Sequence, residues 1–339
     1  MIFHPIVEED IKSVVSLLSE DLKRLEGKNI LITGASGMLM RYIVYTVLYA
    51  NVHMFKKKAT LYLIIRNRKK AFGNDKNIRY LRLDISLKKP KVHNMHFIIH
   101  GASNSAPKHY TKQIIDTLNT NIKGMYNVLD IVNRQTESIL FLSSVEIYGE
   151  PKGRDPIKED YLGLTDHLNK RASYVEGKRA GETIAMSYFL EKKYPIKIAR
   201  VSHSFGPGLN LNDGRVFSDF IKSGLAGEDI QINGDKNAER PLLYIKDATV
   251  MLLKILIKGS NGQVYNVSND KNVTSVLNMA KIVCDIFNND YDLDLKIKIK
   301  KQDNLYYKNA VKRIVLDISK FKESFNFTPP TDIRSCFKR

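Results

Sequence analysis

The chain has 339 residues, 43% of them hydrophobic, enough for a sizeable core in one large domain or in a domain with a lobe. Its net charge of +18 is spread along the chain, and the tightest basic groups, Lys56-Lys57-Lys58 and the alternation from Lys296 to Lys301, carry no interleaved aromatics, so no nucleic-acid platform is expected. Two distant cysteines, Cys284 and Cys336, argue against a disulfide framework or a metal site, and no apolar run reaches about 18 residues, so the expectation is a cytoplasmic protein without membrane contact or metal.

In chain order, residues 8–26 place Ile11, Val14, Val15, Leu17, Leu18, Leu22 and Leu25 at helical spacing, which predicts an added amphipathic helix. Asn29 to Thr33 (NILIT) is a short apolar strand of the kind buried on both faces of a parallel sheet. The stretch GASGMLM follows, then a helix from Arg41. Further strands are expected at ATLYLIIRN, IRYLRLDI, HFIIHGAS, SILFLSS and IKIARVSHSFGP, with helices at TLNTNIKGMYNVLDIVNRQ and RASYVEGKRAGETIAMSYFLEKK. Alternating strands and helices predict an α/β fold, a Rossmann-like doubly wound parallel sheet with a smaller C-terminal lobe. After Pro207 the loops turn rich in Gly, Asn and Asp. The expected division is a helical extension over 1–27, a Rossmann domain over 28–206, and a lobe over 207–339 from which 241–258 return to the sheet as a strand and helix.

The loop from Gly34 through Ser36, Gly37, Met38 and Leu39 sits between a strand and a helix, where free N–H groups and the helix dipole favour a pyrophosphate. Met40 stands where a third glycine usually serves close helix–sheet packing. The second strand ends in Ile65-Arg66-Asn67-Arg68-Lys69 with no acid. A carboxylate there would hold the ribose hydroxyls, whereas guanidinium groups accept a 2′-phosphate, so Arg66, Asn67 and Arg68 predict NADP(H) in preference to NAD(H). Asp84, followed by Ile85, is placed to accept from the adenine amino group. Tyr174 and Lys178 lie four residues apart on one helix face, and Ser143-Ser144 close the fifth strand. A cation near the phenol favours proton transfer to and from a sugar hydroxyl or carbonyl.

Taken with HGASNSAPKHY, SSVEIYG, YVEGKRAGE, FGPGLNLNDGRVFSDFI and ERPLLYIKDA, this set resembles the extended short-chain dehydrogenase/reductases that act on nucleotide sugars. The likeness covers about residues 28–330 and runs nearest to UDP-glucuronate decarboxylases. The resemblance implies a homodimer acting on a nucleotide-diphosphate sugar for cell-surface polysaccharide, bound largely by the C-terminal lobe. It implies Tyr174 as acid/base, Lys178 on the ribose, and Ser144 on the reacting oxygen, with Ala102 and Ser103 beside the cofactor. Ser105, Val145, Arg215 and Arg240 fall to the substrate. Two departures stand out. Dehydratases of this family carry an Asp-Glu pair where this chain has Val145-Glu146, so elimination lacks its acid, while Glu146 remains a candidate base or sugar-orienting group. His203 stands where the pattern usually has asparagine, and reads equally as a diphosphate contact or as a packed strand-end residue.

Arg66 and Arg68 favour an NADPH-dependent reductase of a nucleotide-activated keto sugar, using Tyr174, Lys178 and Ser144. The alternative is a redox-neutral, NAD-dependent decarboxylase or epimerase, towards which overall likeness points. A catalytically silent nucleotide-binding protein is the alternative of another class.

Overall fold

The computed structural model of the chain describes residues 4–66, 72–300 and 311–339. The first six strands are β1 (Asn29–Thr33), β2 (Thr60–Ile65), β3 (Ile78–Arg82), β4 (Phe97–His100), β5 (Ser138–Ser144) and β6 (Ile196–Val201). The remaining strands are β7 (His203–Phe205), β8 (Ile230–Asn233), β9 (Glu239–Tyr244), β10 (Val264–Val267), β11 (Val273–Ser275) and β12 (Ile297–Lys300). Seven strands form one parallel sheet in the order β10-β6-β5-β4-β1-β2-β3. The chain runs outward from β1 to β3, then crosses to β4 and builds the other half, so the order reverses between β1 and β4.

Both faces of this sheet are covered, which is why its central strands are apolar throughout. Ile30 and Ile32 of β1 face one core with Val44 and Val47 of the Met38–His53 helix and Met251 and Leu252 of the Ile245–Lys258 helix. Leu31 faces the other, with Met125 and Val128 of the Ile114–Leu129 helix and Ala185 of the Ala172–Lys192 helix.

The expected sixth strand divides. After β6, the Ser202 amide bonds to the Val267 carbonyl at 2.9 Å, and the chain then leaves the main sheet as β7, pairing His203 with Leu242. The expected strand of the returning segment, β9, therefore does not join the main sheet. It pairs with β7 and β11 in a three-stranded sheet, while the helix that follows it does pack on the main core, and the seventh sheet strand comes from β10. β8 and β12 pair in parallel, and a third core gathers Phe205, Phe217, Phe220, Ile230 and Met279.

The N-terminal helix is Pro5–Leu17, and it breaks at Leu18 before shorter turns reach Leu25. It is built into the fold rather than added to it. Val14, Leu18, Leu22 and Leu25 belong to the core under the main sheet, Ile11 to the third core.

Candidate active site

A cleft of about 820 Å³ opens at the carboxyl ends of the strands, around the point where their order reverses. Apart from Asn67 and Arg68, which lie outside the described residues, every candidate residue named above lines it.

At one end, Gly34 has φ +67°, and a Cβ there would lie 2.8 Å from the Cα of Ala102, so the turn after β1 and the turn after β4 touch backbone to backbone. The Gly37 amide closes the loop on the Gly34 carbonyl at 2.9 Å. The Met38–His53 helix begins with no side-chain cap, leaving its first N–H groups to an anion. These features fit a dinucleotide pyrophosphate. Met40 is buried, and its side chain occupies the space beside Gly101, where a Cβ would meet the thioether sulfur at 2.6 Å. The glycine missing from the helix is thus matched by a glycine on the facing strand end. The guanidinium of Arg66 donates to Asn104 Oδ1 at 3.2 Å, and Asn104 in turn donates to Thr117. Asp84 Oδ1 accepts from the amide and hydroxyl of Ser86.

At the centre, Ser144 and Tyr174 share a hydrogen bond. The phenol is buried and stacks on Tyr110 at 5.1 Å. Burial pushes Tyr174 above its ordinary value, and the Ser144 bond partly offsets this. Lys178 is 2% exposed, and its ammonium donates to the Leu142 carbonyl at 2.7 Å and lies 5.0 Å from the Phe141 ring centre. Burial lowers it to about 7.

Beyond Ser144, whose hydroxyl accepts from the Glu146 amide at 3.2 Å, lies a charged cluster. Arg171 donates to Glu146 Oε2 at 2.8 Å, and His203 Nε2 stands 3.7 Å from Oε1. Burial by itself would raise the Glu146 carboxyl, but Arg171, His203 and Arg240 together hold it well below the usual range. It is an anion at neutral pH. Burial lowers the His203 imidazole in spite of Glu146. Arg240 donates to the carbonyls of Glu239 and Val311, and Arg215 to Asp213 and to the Ser105 carbonyl.

A family model described as the NAD dependent epimerase/dehydratase family matches residues 30–268, more than half of the chain. The chain belongs to that family. Its relatives include UDP-glucuronic acid decarboxylase 1 of Arabidopsis thaliana, 30% identical over 71% of this chain and 53% of that protein. The chain therefore spans about half the length of that relative. Among solved structures, UDP-glucose 4-epimerase from Thermotoga maritima, solved with UDP-glucose, is 20% identical with a TM-score of 0.77, covering 91% of this chain and 96% of that one. The dTDP-glucose 4,6-dehydratase of Bacillus anthracis, solved with NAD, is 18% identical with a TM-score of 0.73, over 92% and 94%. These structural likenesses support the Rossmann-like fold.

For a member of this epimerase/dehydratase family, the residue that sequence reasoning passed over is Arg171. It stood in the quoted helix segment three positions before Tyr174, but nothing in its spacing ties it to Glu146, 25 residues earlier. Tyr110 was likewise quoted in a loop motif and not singled out, yet its ring forms the wall against Tyr174.

Proposed function

We propose that the protein catalyses a redox-neutral conversion of a nucleotide-diphosphate sugar with NAD, and that the conversion is decarboxylation of the uronic acid form. The observation that carries this is the pair Val145-Glu146: the residue after Ser144 has no proton to give, and the next is an anion tied to Arg171. Elimination of a hydroxyl lacks its acid. A 4-keto uronate needs none to lose CO2, since a carboxylate β to a ketone leaves with the ketone as electron sink. The likeness to UDP-glucuronic acid decarboxylases supports the same reading.

In this mechanism Ser144 and Tyr174 hold the sugar 4-oxygen between them. Tyr174 takes the hydroxyl proton as its phenolate while the carbonyl forms, and as the phenol returns it at the end. When bound, the nicotinamide accepts hydrogen from the sugar carbon and gives it back. Gly34, Ser36, Gly37 and the first turn of the Met38–His53 helix hold the pyrophosphate, with Ala102 and Ser103 alongside. Lys178 keeps the phenol and the ribose in register, and Asp84 and Ile85 line the adenosine end. Arg215 and Arg240 present forks to the substrate diphosphate, beside Ser105.

A second reading, the NADPH-dependent reductase, keeps one observation in its favour: Arg66 at the end of β2, where a carboxylate would exclude a 2′-phosphate. Its weight falls because that guanidinium is already engaged by Asn104. We further propose a cytoplasmic protein that forms a homodimer; the dimer is supported by Ile115, Tyr126 and Leu190, which the helices Ile114–Leu129 and Ala172–Lys192 leave exposed.

The deciding experiment is to denature the purified protein and identify released dinucleotide by mass spectrometry, then to incubate it with UDP-glucuronate and look for CO2 and the UDP-pentose. Retained NAD and a pentose product are expected. An empty protein that prefers NADPH and consumes it with nucleotide-linked keto sugars would replace this reading with the reductase.

A further inference from the structure

Resting on the decarboxylase reading, one proton has no evident source. Loss of CO2 from a 4-keto uronate breaks the C5–C6 bond, leaves its electron pair in an enolate across C4 and C5, and requires a proton at C5 before the 4-ketone is reduced again. Tyr174 and Ser144 serve the 4-oxygen. Lys178 is turned to the Leu142 carbonyl. Glu146 is held as an anion by Arg171, and arginines do not release their protons in proteins. Val145 has none.

His203 remains. In the sheet Ser144 pairs with Val201, and His203 lies two residues further along the neighbouring strand's path, after the chain has left the main sheet. His203 lines the same cleft as Ser144, Tyr174 and Glu146. Its Nε2 faces Glu146 at 3.7 Å, and its Nδ1 is buried with no hydrogen-bond partner. With Nδ1 shut away, Nε2 is the nitrogen left to serve a bound sugar, and the carboxylate beside it steadies the protonated ring. We propose that His203 is the acid that places the proton on C5, with Glu146 as its positioning residue.

The charged groups that face the imidazole are Glu146 from the turn after β5, which favours its protonation, and Arg215 and Arg240 from the outer lobe, which oppose it. Arg171 acts on it through Glu146. Because an acid must carry its proton, decarboxylative turnover falls as pH rises through the imidazole's own titration. That titration lies below the ordinary histidine value, since burial lowers it.

The test uses the full-length holoenzyme and its His203→Gln and His203→Asn variants in D2O. The first probe is UDP-glucuronate, with nicotinamide absorbance, product and pH profile followed together. The second is UDP-glucose, with deuterium at C5 read by NMR. In the variants the first oxidation is expected to persist, reduced nicotinamide to accumulate, turnover to fall about 100-fold, within the usual range for acid catalysis, and the high-pH decline to disappear. The wild type is expected to wash deuterium into C5 of UDP-glucose during transient oxidation, and the variants not to. Variants with turnover within about three-fold of wild type and an unchanged pH profile would overturn the proposal. So would variants that lose the first oxidation and the later step equally, since that marks a structural role. If the wild type exchanges C5 of UDP-glucose but releases no CO2 from the uronate, the decarboxylase reading falls and the His203 assignment stands. If it oxidises neither sugar, both fall.

Discussion

Lys178 is buried against a carbonyl and a phenyl ring, with its ammonium brought down to about 7 by burial. In the unfolded chain the same group titrates near 10.5. Below pH 7 both states are charged, and the folded state bears the whole burial cost. Between pH 7 and 10.5 the folded chain releases the proton while the unfolded chain keeps it, so this group's contribution to stability rises with pH across that window. Lys178→Met should therefore make the cofactor-free protein more stable than wild type at pH 6–7, and the gap should narrow as pH approaches 10. Thermal unfolding of both proteins across that range checks it; a gap that is flat in pH would mean the lysine is charged throughout. Tyr174→Phe should lower turnover by roughly 10²–10⁴-fold, the range for losing a proton-transfer group, while NAD retained through gel filtration stays unchanged. Normal turnover in that variant would remove Tyr174 from the chemistry. That Ser144, Tyr174 and Lys178 line one cleft was open to inference from sequence because strand end, spacing and helix face are local properties. The Arg171–Glu146 pair was not, because it joins the start of one helix to a turn 25 residues away, and only the folded backbone sets that distance.

Among elements, strands β1 to β5 were legible because a parallel strand buried on both faces is an apolar run, and NILIT and SILFLSS can be little else. β10 and the division of β6 from β7 were not. Val264–Val267 is a short run among turn residues, and the exit at Ser202 depends on which strand is waiting beside it. The helix–strand contact at Met40 and Gly101 shows how a departure from a motif is absorbed. A side chain placed where the motif has a glycine requires the opposite surface to give up its own Cβ. Gly101→Ala should thus cost about 1–3 kcal/mol, the range for overpacking a filled core, and should weaken NAD binding by shifting the loop at Ala102. Combining it with Met40→Gly should recover part of both losses. Denaturant unfolding of the two single variants and the double variant measures the coupling; strictly additive losses would show that these residues do not share the space.

At the scale of the whole molecule, the N-terminal helix is where the sequence reading fell furthest short. Its period of apolar residues predicts a helix but not what the helix lies on, and Asp10 sits among them as an unremarkable polar residue. In the folded chain Asp10 is 1% exposed. It accepts from the Tyr42 hydroxyl at 3.1 Å, the Tyr244 hydroxyl at 2.7 Å and the Arg339 guanidinium at 3.0 Å. One carboxylate thus ties the N-terminal helix to the helix after the phosphate loop, to the end of β9 and to residue 339. A second, Asp21, pairs with Lys254 and Lys258 on the helix after β9. Removing one partner of a buried charged network leaves the others desolvated and unpaired, a cost of about 3–5 kcal/mol. Asp10→Ala should therefore lower the unfolding free energy by about that amount, and Asp10→Asn by less, since an amide oxygen still accepts from the tyrosines. Because Tyr42 lies on the helix that begins at the phosphate loop, NAD should also dissociate faster from Asp10→Ala. Urea unfolding and the rate of NAD loss, measured on the same preparations, decide it. An unchanged unfolding midpoint would mean that the extension is appended to a fold complete without it, whereas the expected loss makes residues 5–25 part of what holds the cofactor loop and the outer lobe to one sheet.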